Sequence, residues 1–505
     1  MMAHRSRWLR GSALAVGLSL VFTGPAAAGG GGDHGWGGST FTAGAPGAGD
    51  PYFPYSGNGG FDVKHYHLDL TYEPPAPTPA PLVGRLDGAA TIQLTATRNL
   101  EQFNLDLRGM DVHALTVNGQ RAREIPPPVA GAAVRGAAYW QVQDDAARIW
   151  ELTVHPDKGL RKGQRATVVV EYSGATARPT DIEGALYGWV TTRDGAMVVG
   201  EPEGNMTWFP VSDHPTDKAT YSFEITVPNG KTAVANGLQN RPPKTRDGWT
   251  TWYWNATDPQ ASYLATASVG DYVLTKARTR GGLPIVNAVD DGLTPANRVT
   301  TDRSLALQAD MIDFFSDEFG RYPFNSFGAI VDDDTVGYAL ETQTRPVYSR
   351  VASEGTAAHE LAHQWFGNSV SPHRWADIWL NEGWATYATW LWTEHNGGLS
   401  AQESFDDVMA NPADDEFWTV VVADPGALGL FLRPIYNRGA ATLYALHEEI
   451  GDAAFRAGTR MWLQRYRDGD ASTDDFQRVF ERASGKDLSG FFATWLRAPV
   501  KPPIQ

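Results

Sequence analysis

The sequence predicts a multidomain α+β protein: a β-rich, saddle-like N-terminal half followed by a mainly helical half. Three observations predict it. From about Phe61 to Leu274 apolar residues recur with a period of two, whereas beyond about residue 300 they recur with the helical period. The 505-residue length calls for more than one core. The composition, 42% hydrophobic and 20% charged with 18 Trp, suits large aromatic cores rather than disorder.

The first element is a targeting segment over residues 1–28. Arg5, Arg7 and Arg10 form a basic start without acids, an apolar stretch runs from Ser12 to Phe22, and Gly24-Pro25-Ala26-Ala27-Ala28 offers a small-residue cleavage site. The apolar stretch is too short to span a bilayer, which needs about 20 residues, so no stable membrane anchor is expected. These features predict a secreted, extracellular protein. With no cysteine, it uses no disulfide. The net charge of -16 would become more negative on cleavage, which argues against nucleic acid and anionic lipid as partners. Residues 29–56 read as a glycine-rich flexible linker.

Residues 57–275 form the expected β domain. In Tyr66-His67-Leu68-Asp69-Leu70-Thr71-Tyr72 large apolar residues alternate with polar ones, and Tyr221, Phe223, Ile225 and Val227 repeat the pattern. Ala166-Thr167-Val168-Val169-Val170 reads as a more buried strand, and Asn118-Gly119 and Asn229-Gly230 mark tight turns. Residues 276–505 form the expected helical domain, with Leu305, Ala309, Ile312 and Phe319 on one face and Pro499, Pro502 and Pro503 ending the last helix.

The chemistry sits at Ala358-His359-Glu360-Leu361-Ala362-His363. On a helix, His359 and His363 are four apart and share a face, so both imidazoles can reach one zinc ion at about 2.0–2.1 Å. Glu360 points about 100° around the helix, offset from the ligand set but placed to act as a general base on water. A catalytic zinc takes three protein ligands, and Glu382 in Trp379-Leu380-Asn381-Glu382-Gly383-Trp384 is the candidate third. A glutamate flanked by tryptophans needs a partner if it is buried.

His-Glu-x-x-His followed after 18 residues by Glu within Asn381-Glu382-Gly383 resembles the gluzincin zinc aminopeptidases, the family of aminopeptidase N and the leukotriene hydrolase. The likeness extends to Phe61–Leu70, to Phe209-Pro210 with Asp213-His214-Pro215 and Lys218–Tyr221, to Phe319–Phe324, and to Gln364-Trp365-Phe366-Gly367-Asn368. It implies a thermolysin-like catalytic domain, one Zn2+ per chain, and hydrolysis of N-terminal residues from peptides with a free N-terminus. It further implies Tyr436, before Gly439-Ala440, as the oxyanion donor, and Glu341 and Glu201 as carboxylates for the substrate's amino group, with Glu203 close to Glu201 in sequence. The segment Tyr338-Ala339-Leu340-Glu341-Thr342 departs from the family's Gly-x-Met-Glu-Asn around its glutamate.

The alternatives are another gluzincin hydrolase, either an endopeptidase or an epoxide hydrolase, and a non-catalytic binding relict. The chain beyond Tyr436 is too short for the family's usual helical C-terminal domain, so the cleft is expected to be more open, or covered by a partner or a second copy. Three minor features remain. His65 and His67 read as solvent-side polar positions, Asp332-Asp333-Asp334 as a solvated turn, and Asp377 as a residue orienting a zinc histidine.

Overall fold

The computed structural model describes residues 40–76 and 82–503. The expected signal segment over residues 1–28 lies outside them. Phe61–Glu73 sits inside a nine-stranded sheet, antiparallel to Gly84–Ala96 and parallel to Ala219–Pro228. The alternation in its sequence is its burial pattern: Tyr66, Leu68, Leu70 and Tyr72 enter the core, while Asp69 and Glu73 are exposed. His65 and His67 lie on the opposite face and bond across the strands to Thr220 and Ser222 at 2.8–2.9 Å. A five-stranded sheet built on Leu100–Asp106 and Ile149–His155 contributes Phe103, Leu105, Leu152 and Val154 to the same apolar core.

Two expected boundaries shift. Residues 41–56 belong to the fold rather than to a linker. Thr42–Ala43 pairs with the strand at Leu100, Phe53 is buried, and the Asp50 carboxylate accepts from the Trp375 amide at 2.8 Å. The glycine-rich composition hid this, because a few long-range contacts rather than periodicity anchor the segment. The expected division at 275/276 falls inside the strand Tyr272–Arg278. That strand opens a four-stranded sheet continued by Pro284–Asp290, Phe327–Asp332 and Val347–Ser349. Phe327–Asp332 is buried on both faces, so it shows no alternation to read.

Nine α-helices among the described residues carry the second half: α1 Pro295–Ala306, α2 Gln308–Phe319, α3 Glu354–Ala362, α4 Trp379–His395, α5 Ala401–Met409, α6 Arg433–Ile450, α7 Asp452–Arg465, α8 Thr473–Ser484 and the short α9 Ser489–Phe492. The helical face read from Leu305 to Phe319 is divided between α1 and α2 at Leu307. Aromatic rings form much of the core between these helices. Phe366 and Trp384 stack with centroids 4.2 Å apart, and Phe319 meets both rings edge-on. No described helix is long and apolar enough to cross a membrane.

Helices α4 and α6 touch through backbone. A Cβ built on Gly383 would lie 2.9 Å from the Gly439 carbonyl carbon, and one on Gly439 would lie 2.9 Å from the Gly383 Cα. This close crossing sets Glu382 and Tyr436, each in the first turn of its helix, over the same cavity. Gly439→Ala is expected to force the helices apart and to destabilise the protein by about 1–3 kcal/mol. Gly355→Ala, in α3 with nothing within 4 Å of its new Cβ, is expected to be neutral or stabilising. Denaturant titration of the two variants checks the contrast.

Candidate metal centre and substrate cleft

Helix α3 starts at Ser353, whose Oγ accepts from the Thr356 amide at 3.3 Å and caps the first turn. His359 lies in the last turn, and His363 follows the helix end with helical backbone angles, φ -55° and ψ -25°. The four-residue spacing therefore holds both rings on one face, with centroids 4.7 Å apart. The chain then reverses through Gly367 at φ +117°, where a Cβ would approach the Asn381 side chain to 3.0 Å. That reversal brings the first turn of α4, and Glu382 with it, back over the histidines.

The Glu382 Oε2 lies 3.1 Å from Nε2 of His359 and 3.5 Å from Nε2 of His363. Nδ1 of His363 faces the Phe366 carbonyl at 3.1 Å and must donate to it, so Nε2 is the ring nitrogen directed at the convergence point. Two imidazole nitrogens and one carboxylate gathered within 4.8 Å match the donor set of a catalytic zinc that keeps an open position. The electrostatics agree. Burial would lower His363, but Glu341, Glu382 and Glu360 push it up to about 10. Burial would raise Glu382, but His363 and His359 pull it down to about 2. The pocket thus favours positive charge at the convergence point, as a zinc ion would supply.

A cavity of about 370 Å³ opens over this point. Glu201, Glu341, Glu360, Glu382 and Tyr436 all line it, together with Asp181, Glu183, Tyr338 and Phe431, and among the described residues no lysine or arginine does. Glu360 is buried beside His363 and Glu341, and that burial holds its carboxyl well above the usual range. Tyr436 stacks on His359 with centroids 6.0 Å apart, and burial with the surrounding carboxylates keeps its phenol protonated. Glu201 and Glu341 each have an Oε1 that is buried without a hydrogen-bond partner. The sequence left Glu201 and Glu203 close rivals, and their contacts separate them. Glu203 pairs with Arg148 and accepts from Ser56 Oγ, so it is occupied, whereas Glu201 faces the cavity.

The Glu341 loop is held in place despite its altered sequence. Its carbonyl accepts from Asn368 Nδ2 at 2.7 Å and from Gln364 Nε2 at 3.2 Å, both just beyond the histidine helix. Tyr338, standing where the family has glycine, donates its hydroxyl to the Leu186 carbonyl at 2.7 Å. Sequence reading quoted Gln364 and Asn368 within a motif but gave them no role. It missed Asp181 and Glu183 altogether, because a loop carboxylate carries no periodic signal.

Asp377 does not orient a zinc histidine. Its Oδ1 accepts from the amide and the hydroxyl of Thr473 at 2.9 and 2.7 Å, which ties α8 to the turn before α4. The Asp332–Asp334 segment is no plain solvated turn either: Asp332 is fully buried against the Tyr272 hydroxyl, and Asp334 pairs with Arg178.

Comparison with known proteins fits this geometry. The Peptidase M1 N-terminal domain matches residues 63–264, and the Peptidase family M1 domain matches residues 325–495. Glutamyl aminopeptidase of Homo sapiens is 28% identical over 331 residues, covering 60% of this chain and 34% of that protein. Aminopeptidase N of Lactococcus lactis subsp. lactis is 26% identical over 325 residues, covering 59% of this chain and 38% of its own. The chain thus spans about a third of the length of the curated relatives it matches. An M1 zinc metallopeptidase from Deinococcus radiodurans is covered over 99% of its length and matches 90% of this chain, at 28% identity and a TM-score of 0.78. A mutant M1 zinc metallopeptidase described as two-domain, bound to L-arginine, matches at 27% identity with the same TM-score and coverage. Both halves of the fold and the zinc-type donor set agree with these matches, and the chain belongs to peptidase family M1, the zinc metallopeptidases.

Proposed function

We propose that the chain is a secreted zinc aminopeptidase that removes N-terminal residues from peptides. One observation carries the reading. Glu201 and Glu341 each present a buried carboxylate oxygen without a partner, in the same cavity as His359, His363 and Glu382. A buried carboxylate without a cation is costly, and a substrate's α-ammonium group supplies one at the distance of a single residue from the scissile bond. A solved M1 zinc metallopeptidase from Deinococcus radiodurans, 28% identical, is described with a bound Tyr-Ser-Ala substrate, which supports a peptide as ligand. Export rests on Arg5, Arg7, Arg10 and the apolar stretch after them.

His359, His363 and Glu382 would hold the zinc. Bound there, the ion polarises the peptide carbonyl and lowers the pKa of water. Glu360 accepts the proton of the attacking water and passes it to the leaving amine. The Tyr436 hydroxyl donates to the oxyanion. Glu201 and Glu341 fix the amino terminus, so that only the first peptide bond reaches Glu360.

Three outcomes are expected. A peptide with a free N-terminus is hydrolysed one residue at a time, while its N-acetylated twin is not; equal cleavage of both, followed by chromatography, would assign the site to an endopeptidase instead. Glu360→Gln keeps its zinc, measured by metal analysis, but loses about 10²–10⁴ in kcat. Asn368→Ala, which removes the shorter of the two hydrogen bonds to the Glu341 carbonyl, raises KM several-fold at unchanged zinc content. Restoration of KM by Asn368→Gln would mark the residue as a positioning one.

A further inference from the structure

A second group of carboxylates lies outside the cleft. Asp194 is at the hairpin between Gly188–Thr191 and Ala196–Val199, Asp290 ends the strand Pro284–Asp290, and Asp333 follows the strand Phe327–Asp332. The last two strands are parallel neighbours, with Val289 opposite Val331, so Asp290 and Asp333 leave the same edge of the sheet. One carboxylate oxygen from each of the three residues lies within 4.8 Å of the others. Asp290 is only 2% exposed, and its Oδ2 has no hydrogen-bond partner. Gly292 leaves room for the convergence: a Cβ there would meet Asp333 Oδ2 at 2.7 Å and Asp290 Oδ1 at 3.0 Å.

The cations nearby reach only two of the three carboxylates. Lys231 is shared between Asp271 at 2.8 Å and Asp194 at 3.5 Å, and the largely exposed Arg193 reaches Asp333 at 3.2 Å. Neither bonds to Asp290. Burial, with Asp194, Asp333 and Asp271 facing it, pushes the Asp290 carboxyl up to about 6. Mutual repulsion of this kind is relieved by a hard cation with oxygen ligands.

We propose that Asp194, Asp290 and Asp333 bind a divalent cation of the calcium class. The ion would tie the N-terminal β half to the segment that leads from Asp333 into the Glu341 loop. Calcium fits better than zinc because all three donors are carboxylates, with no imidazole or thiolate among them. The site does not depend on the aminopeptidase reading, since none of its residues lines the cleft.

The test uses the full, zinc-loaded chain after passage over a calcium-selective chelating resin, with thermal melts and calorimetry on addition of calcium chloride. Wild type is expected to bind about one calcium per chain with a dissociation constant of about 10⁻⁴–10⁻³ M. Its melting point is expected to rise by about 2–4 °C near ten times that concentration. Asp290→Asn is expected to melt at or above the calcium-free wild type, its repulsion relieved, and to gain nothing from calcium. Asp333→Asn, at the more exposed edge, gives a second variant if Asp290→Asn fails to fold, and it too should lose the response. No calcium-dependent shift in wild type, an equal shift in either variant, or the same shift from sodium chloride at matched ionic strength would overturn the proposal.

Discussion

Glu201, Glu341, Glu360 and Glu382 crowd into one buried cavity, and no lysine or arginine among the described residues joins them. Removed from water, Glu201, Glu341 and Glu360 resist ionisation, while Glu382 stays ionised against the two histidines, so the fold is committed to supplying positive charge from elsewhere. The sharing of Glu382 Oε2 between two imidazoles shows where one positive charge is drawn. The unpartnered oxygens of Glu201 and Glu341 mark where a second is wanted. In the proposed function these two demands become the metal and the substrate's amino group, and Glu360 stands between them.

Holding like charges together requires a rigid frame. Helices α4 and α6 supply it by crossing at Gly383 and Gly439 without side chains between them. The stack of Phe366 on Trp384 fixes α4 against the turn beyond α3. Gln364 and Asn368 grip the backbone of the Glu341 loop, so the metal helix and the proposed amino-binding carboxylate move as one unit. On the other side of that loop, the fully buried Arg345 donates to the carbonyls of Val286 and Gly237 at 2.9 and 2.6 Å, pinning the loop to the β half.

Much of this was legible in the sequence. Spacing alone put His359 and His363 on one helical face, and the tryptophans around Glu382 implied its burial. The alternating pattern of Tyr66–Tyr72 was the burial pattern itself. What stayed hidden depended on contacts distant in sequence. Asp50 is buried where Trp375, 325 residues further along the chain, donates to it, and no local pattern encodes that. Glu203 and Glu201 are told apart by Arg148 and Ser56, both distant in sequence, which reach Glu203 alone. Asp377 reads from the sequence as a residue orienting a zinc histidine, but its partner is Thr473, the first residue of α8 far along the chain.

The central claim is that the cavity is built to receive two cations rather than one. Calorimetry on the zinc-loaded Glu360→Gln protein tests it most directly, comparing an amino-acid amide with its counterpart bearing hydroxyl in place of the α-amino group. The account predicts that the amine binds about 10–100-fold tighter near neutral pH, from one or two charge-assisted hydrogen bonds. Equal affinities would mean that Glu201 and Glu341 do not recognise an amino terminus, and the account would fail.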